Sequence, residues 1–234
     1  MQTYEGKAKI VTPQGANEVS IFFKNDATAF NGVKKASFEE KGHLNAEITT
    51  RLFRKLEASG IKTHFISRTD ERTLRCRAVT IVPLEVVVRF KVAGSLKKRT
   101  GLADGAAVTP PIVELYFKND ALGDPLFNDE HVQFLKLATP AEVATLKAMA
   151  LKTALALRDL LAKARIDLVD LKFEYGRTSD GEILLADEIS PDTCRLRDLD
   201  TGASLDKDNF REDKGDLLTA YREVLKRLDV AGIQ

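Results

Sequence analysis

Residues 168–198, LVDLKFEYGRTSDGEILLADEISPDTCRLRD, constrain the fold more than any other stretch. Their first part alternates strictly, with Asp170, Lys172 and Glu174 on one side and Val169, Leu171, Phe173 and Tyr175 on the other. A period of two is that of a half-buried β-strand. Asp180-Gly181 then signals a hairpin, because a type I′ turn needs positive φ at both central residues. A second apolar run, residues 183–189, carries Asp187 and Glu188. With Asp180 and Gly181 as the loop, Ser179 pairs with Glu182, and the same count sets Glu174 opposite Asp187 with Lys172 beside them. Opposed carboxylates destabilise a sheet, so a positive charge is expected there, either Lys172 or a divalent cation. Oxygen ligands in small number suit magnesium held jointly with substrate phosphates. A surface hairpin with a solvated charged face would carry the same pattern.

A chain of 234 residues suffices for one large domain or two small lobes. Its formal charge of +1 argues against a nucleic-acid partner bound by bulk electrostatics. The two cysteines, Cys76 and Cys194, lie far apart and fit a reducing compartment. The first residues, MQTYEGKAKI, have no apolar signal segment, and no apolar run is long enough to span a bilayer. These features point to a soluble cytoplasmic protein without a membrane partner.

Further motifs come in chain order. Gly6-Lys7-Ala8-Lys9 sits at a hairpin-like position, where backbone N–H groups and ammonium charges can cover phosphates. A plain basic turn reads the same, and the segment is not a Walker A loop. Ser37 and Glu40 have the spacing of a capping box before a helix with Leu44, Ile48, Leu52 and Leu56 on one face, closed by Gly60. In the apolar run 79–90, Pro83 is expected to divide two strands by an extended joint at Pro83-Leu84-Glu85. Arg89 and Gly94-Ser95 follow in a basic loop, the arginine being a bidentate ligand for phosphate or carboxylate by geometry. Thr139-Pro140-Ala141-Glu142 opens a long helix, and a last amphipathic helix uses Leu217, Leu218, Tyr221, Val224, Leu225 and Leu228. The order predicts an α+β fold with mostly antiparallel sheets in two lobes, residues 1–85 and 86–234, and a nucleotide-binding cleft between them.

IVPLEVVVRFKVAGS (residues 81–95) and LVDLKFEYG (residues 168–176) resemble the two signature segments of the phosphoribosylaminoimidazole-succinocarboxamide synthases, the SAICAR synthetases of purine biosynthesis. YEGKAK, KNDALGDP and DEISPDTCR match in the same order, so the resemblance spans essentially the whole chain. It implies a fold with kinase-like and ATP-grasp-like features. It also implies ATP-dependent ligation of carboxyaminoimidazole ribonucleotide (CAIR) to L-aspartate, through an acyl phosphate, with Mg2+ as cofactor and a homodimer as the assembly. A carboxylate is a poor electrophile until ATP phosphorylates it, so positioning and charge neutralisation carry most of the catalysis.

Carried over residue by residue, the resemblance assigns Gly6, Lys7, Ala8 and Lys9 to the ATP phosphates and Pro83, Leu84 and Glu85 to adenine. Lys118 and Lys172 would neutralise phosphate charge, and Glu174 and Asp187 would hold magnesium. Arg89, Ser95, Arg195 and Arg211 would grip CAIR, with Asp192 at its polar groups and available as a base. Lys118, Lys172 and Asp192 form the expected catalytic set. Three positions depart from the family pattern: Asn31 where some members have Asp, Phe90 where Asn is common, and Arg197 where Trp is common. Two other readings keep parts of this pattern. A different ATP-dependent phosphotransferase would not need Arg89, Gly94-Ser95 or Ser190-Pro191-Asp192, and a non-catalytic nucleotide-binding protein would have lost a metal ligand or phosphate lysine.

Overall fold

The computed structural model describes residues 2–29, 34–213 and 215–234; Asn31 lies outside them. The chain begins with strands β1 (Tyr4–Glu5), β2 (Lys9–Pro13), β3 (Glu18–Phe23), β4 (Asp26–Ala29) and β5 (Lys34–Ser37), followed by helix α1 (Lys41–Ala58). Strands β6 (Phe65–Arg68), β7 (Thr73–Arg77) and β8 (Thr80–Lys91) lead to α2 (Gly94–Thr100), β9 (Ala107–Phe117), a 3₁₀ turn (Asp120–Leu122) and β10 (Leu126–Phe127). Helices α3 (Asp129–Phe134) and α4 (Pro140–Lys163) precede β11 (Ile166–Arg177), β12 (Ile183–Ala186) and β13 (Cys194–Asp198). The chain closes with α5 (Asp208–Arg211) and α6 (Leu217–Val230). The fold is α+β with antiparallel sheets, as expected. No helix among the described residues is long and apolar enough to cross a membrane.

One sheet has the order β1-β2-β3-β7-β6, a second β10-β9-β8-β11-β12, and β4-β5 form a two-stranded pair. In the second sheet β11 is central, with β8 along one edge and β13 and then β12 along the other. Residue 85, the expected boundary between lobes, falls within β8.

Three local expectations are corrected. Strand β8 runs through Pro83 without a joint. The register with β11 jumps from Glu174↔Glu85 to Gly176↔Ile81, so Pro83 sits in a bulge where its missing N–H costs no ladder bond. The hairpin loop holds three residues, because Thr178 N–H donates to the Glu182 carbonyl at 2.9 Å and Gly181 takes φ 88. Glu174 therefore faces Ala186, one position from the expected register, and Asp187 lies beyond the end of β12. The Ser37–Glu40 capping box does not form. Ser37 ends β5, and Glu40 enters α1 in left-handed conformation with no side-chain cap.

Other local signals carry through. Thr139 caps α4, and Glu142 closes the capping box reciprocally. Gly60 takes φ 76, and the N–H groups of Gly60 and Ile61 satisfy the last α1 carbonyls.

The main core joins both sheets through Phe23, Phe53, Leu74, Val86, Leu146 and Phe173. On β8, Val82, Leu84, Val86, Val88 and Phe90 belong to this core, whereas Glu85, Val87 and Arg89 line a cleft on the other face. Phe90 thus lies away from the cleft, with the Arg158 guanidinium 5.1 Å from its ring centre. A smaller core of Ala27, Leu44, Phe210, Leu217, Ala220 and Tyr221 packs α6 near the start of α1.

Gly42 lets α1 approach β3. A Cβ there would meet the Phe23 carbonyl oxygen at 2.4 Å. Gly→Ala in an exposed helix stabilises by about 1 kcal/mol, but overpacking against backbone costs roughly 1–3 kcal/mol. Gly42→Ala is expected to lower the urea midpoint of unfolding, by the net equivalent of about 1 kcal/mol.

Candidate active site

Strand β11 brings its polar residues into a cleft of about 380 Å³ lined also by β8, β9, α5 and the β12–β13 loop. Three charge clusters meet there or border it.

The first cluster surrounds Glu174. Across the β8–β11 ladder this residue opposes Glu85, so the opposed carboxylates inferred from the sequence exist with a different partner. Lys172 Nζ compensates both, at 2.6 Å from Glu85 Oε1 and 3.3 Å from Glu174 Oε1. Lys118 Nζ lies 2.5 Å from Glu174 Oε1. Burial, with Glu174 and Asp124 nearby, leaves the Glu85 carboxyl above its ordinary pKa despite Lys172. Burial works against the Lys172 charge, but Glu174, Glu85 and Asp187 outweigh it and raise its pKa.

Asp187 follows β12 with φ 62, a conformation that costs a non-glycine residue of order 1 kcal/mol. Its carboxylate accepts from Lys9 Nζ, which also reaches Glu188 Oε1 at 2.6 Å. Burial opposes its ionisation, yet Lys9, Lys172 and Lys118 pull its pKa down to about 2. His64 Nε2 lies 3.2 Å from the Asp187 carbonyl, so that nitrogen carries the donated proton. Burial of His64, near Lys9 and Arg77, lowers its pKa to about 4, and the imidazole is neutral at pH 7.

The second cluster is built on Asp170. Arg89 reaches Asp170 Oδ2 at 2.6 Å, Glu114 Oε2 at 2.7 Å, Ser95 Oγ at 2.8 Å and Tyr116 OH at 3.0 Å. Arg195 Nη1 lies 3.0 Å from the same Asp170 oxygen, and its Nε lies 2.9 Å from Asp208 Oδ2. Arg211 completes the chain, 2.6 Å from Asp208 Oδ1. Three guanidiniums are thereby fixed at the cleft wall, the arrangement that grips a phosphate or carboxylate in bidentate fashion. Gly94, at φ 48, is where this packing has no room: a Cβ would lie 2.5 Å from Arg195 Nη2.

The third cluster surrounds Asp192, whose side chain is 5% exposed. Lys41 Nζ lies 2.5 Å from Oδ2, Tyr221 OH donates to Oδ1, and Lys207 Nζ lies 3.8 Å from Oδ2. Burial opposes the charge, but Lys41 and Lys207 with these hydrogen bonds hold the carboxyl far below its usual range.

Of the residues expected at the site, Lys7, Glu85, Arg89, Ser95, Lys172, Asp192, Arg195 and Arg211 line the cleft. Lys118 and Glu174 adjoin it through Lys172. Gly6 and Ala8 shape the β1–β2 turn, with Gly6 N–H donating to the Lys9 carbonyl at 2.8 Å and the Ala8 carbonyl accepting from Lys24 N–H at 2.8 Å. Lys7 is exposed and 2.7 Å from Asp120, whereas Lys9 is turned inward to Asp187 and Glu188. Pro83 accepts Lys118 N–H at 3.1 Å through its carbonyl, and the Leu84 side chain is core. Arg197 lies 3.3 Å from Asp104, tying β13 to the α2–β9 connection.

Sequence reasoning missed Lys41, Glu114, Tyr116, Asp170, Lys207, Asp208 and the hydroxyl of Tyr221. Asp170 was within reach, since it shares the alternating face of Lys172 and Glu174. Lys41 and Tyr221 gave no such signal, because each reads as an ordinary member of an amphipathic helix.

A family profile described as SAICAR synthetase matches residues 2–228. The phosphoribosylaminoimidazole-succinocarboxamide synthase of Oceanobacillus iheyensis is 50% identical over 229 residues, covering 97% of each chain. That of Bacillus mycoides is 52% identical over 226 residues, 96% of this chain and 95% of its own. A solved SAICAR synthetase in complex with ADP has a TM-score of 0.95 at 50% identity, covering 97% of each chain. A Saccharomyces cerevisiae SAICAR synthase complexed with SAICAR, at 18% identity and a TM-score of 0.77, shares the fold. With half of its residues identical to such relatives along nearly its whole length, the chain belongs to the SAICAR synthetase family.

Proposed function

We infer that the cleft is the site of the family reaction, the ATP-dependent joining of CAIR to L-aspartate in purine biosynthesis. The activity itself follows from family membership: the chain is a carbon–nitrogen ligase that uses ATP. The observation that carries the assignment to this cleft is that one cavity is lined by Lys7, Glu85 and Lys172 together with Arg89, Ser95, Arg195 and Arg211. Such a cavity suits a triphosphate and a second, phosphorylated substrate side by side.

In this reading Lys7, Lys118 and Lys172 neutralise the ATP phosphates as the γ-phosphoryl group moves to the CAIR carboxylate. Gly6, Ala8 and Lys9 shape the turn above them, and of residues 83–85 it is Glu85, on the cleft wall, that faces adenine. The arginines and Ser95 hold CAIR by its phosphate and ribose, and the amine of aspartate then displaces phosphate from the acyl phosphate. Orientation of three substrates in one cleft lined with fixed charges supplies the rate.

The donor set tests the fit of a divalent cation. No group of three acidic, His or Cys residues among the described residues makes a protein-only cage. Glu174 and Asp187 are anionic oxygen donors set among Lys9, Lys118 and Lys172. That suits magnesium completed by phosphate oxygens rather than by protein alone. Glu174 and Asp187 would hold the ion, which would supply charge neutralisation between the phosphates. The same reading makes the protein a cytoplasmic homodimer, with sedimentation mass as the check on assembly.

The reading requires ADP formation to depend on both CAIR and aspartate; ADP release indifferent to either rejects it. Glu174→Gln is expected to abolish magnesium-dependent turnover, and a near-normal rate would remove Glu174 from the metal site. Arg195→Ala is expected to raise the KM for CAIR by about tenfold or more through loss of a charge-assisted contact, with little change for ATP. Equal losses for both substrates would refute its assignment to CAIR.

A further inference from the structure

Asp192 is fixed from two directions by residues far away in sequence. Lys41 is the first residue of α1 and is 1% exposed. Glu40 before it takes φ 74, which redirects the backbone so that the helix begins at this lysine. Tyr221 comes from the middle of α6 and is 0% exposed. Each donor takes a different carboxylate oxygen, Lys41 taking Oδ2 and Tyr221 taking Oδ1. The loop backbone is fixed as well, since Ser190 Oγ accepts from Asp192 N–H at 3.1 Å and donates to Glu188 Oε2 at 2.6 Å. Two donors on one buried carboxylate, with a second lysine 3.8 Å away, leave it an ion that accepts hydrogen bonds.

We propose that Lys41 and Tyr221 are positioning residues of the ligation, holding Asp192 as a fixed hydrogen-bond acceptor for a substrate amino group rather than as a base. The inference rests on the reading of the cleft as the CAIR site. Lys41 from α1, Lys207 from the segment before α5 and Tyr221 from α6 favour the Asp192 anion against burial, with the carboxyls of Glu188 and Asp206 in the same surroundings. Burial beside Asp192 and Glu188 raises the Tyr221 pKa far above its ordinary value, so its hydroxyl keeps the proton it donates. The small core of Leu44, Phe210, Leu217 and Tyr221 thereby joins α1 and α6 to the reacting end of the cleft.

Tyr221→Phe keeps the buried ring and removes only the donor. The expected result is a loss of about tenfold in kcat/KM for CAIR, the size of one hydrogen bond to a charged group, with the KM for ATP and the melting temperature nearly unchanged. Lys41→Gln is expected to lower kcat/KM for CAIR further, because it removes a charged donor from the other carboxylate oxygen. In an Asp192→Asn background, Tyr221→Phe should add almost nothing, because its effect passes through that carboxylate. Unchanged CAIR kinetics in Asp192→Asn would overturn the reading of Asp192 as a substrate contact. If Asp192→Asn weakens CAIR while Tyr221→Phe leaves kcat/KM unchanged, or acts additively with it, the positioning role fails and the site reading survives. A collapse of kcat in Asp192→Asn with CAIR affinity intact would make Asp192 the base and overturn the inference.

Discussion

The structure depends on burying a charged face in the middle of a sheet. Strand β11 is flanked by β8 on one edge and by β12 and β13 on the other, and its cleft face carries Asp170, Lys172 and Glu174. Removing one partner from a buried ion pair costs about 3–5 kcal/mol, so no member can be supplied without its counter-charge. The counter-charges come from β8, which delivers Arg89 and Glu85, from β13, which delivers Arg195, and from Lys118 just past the end of β9. The same pairing that makes the strand buryable leaves Lys172, Arg89 and Arg195 on the wall of the cleft.

Left-handed backbone occurs at two places where side chains are delivered to this face. Asp187 and Glu40 both have positive φ without being glycine, and each marks an abrupt change of direction. At Asp187 the change ends β12 and turns the carboxylate toward Lys9, while His64 and the parallel bridge Thr63↔Leu185 hold the backbone. At Glu40 it starts α1 so that Lys41 enters beneath Asp192. Gly94 serves the opposite need, leaving space for the Arg195 guanidinium where any side chain would intrude. Conformations costing about 1–3 kcal/mol persist where the surroundings over-determine them, and here the surroundings are ion pairs that only one backbone path can complete.

The departures from the family pattern separate on the same geometry. Phe90 is on the core face of β8, so its aromatic ring meets Arg158 and faces away from the cleft. Arg197 shares a strand with Arg195 but pairs with Asp104, which holds β13 against the α2–β9 connection.

What was legible in the chain was whatever depends on near neighbours. Strict alternation announced β11, Thr139 to Glu142 announced the start of α4, and the long signature segments announced the family. The rest depended on which strands meet. A two-residue turn and a three-residue turn at Asp180-Gly181 differ by one position of register, and that step put Ala186 instead of Asp187 opposite Glu174, while the carboxylate that does oppose it, Glu85, comes from a strand some ninety residues away in sequence. Pro83 broke no strand because β8 itself bulges against β11 at that point. Lys41 and Tyr221 looked like an ordinary helix lysine and an ordinary core tyrosine, and only the packing of α1 against α6 brought both onto Asp192. Local pattern decided the elements and their apolar faces; tertiary structure decided which charges neutralise which, because a counter-charge is chosen by distance in space and not along the chain.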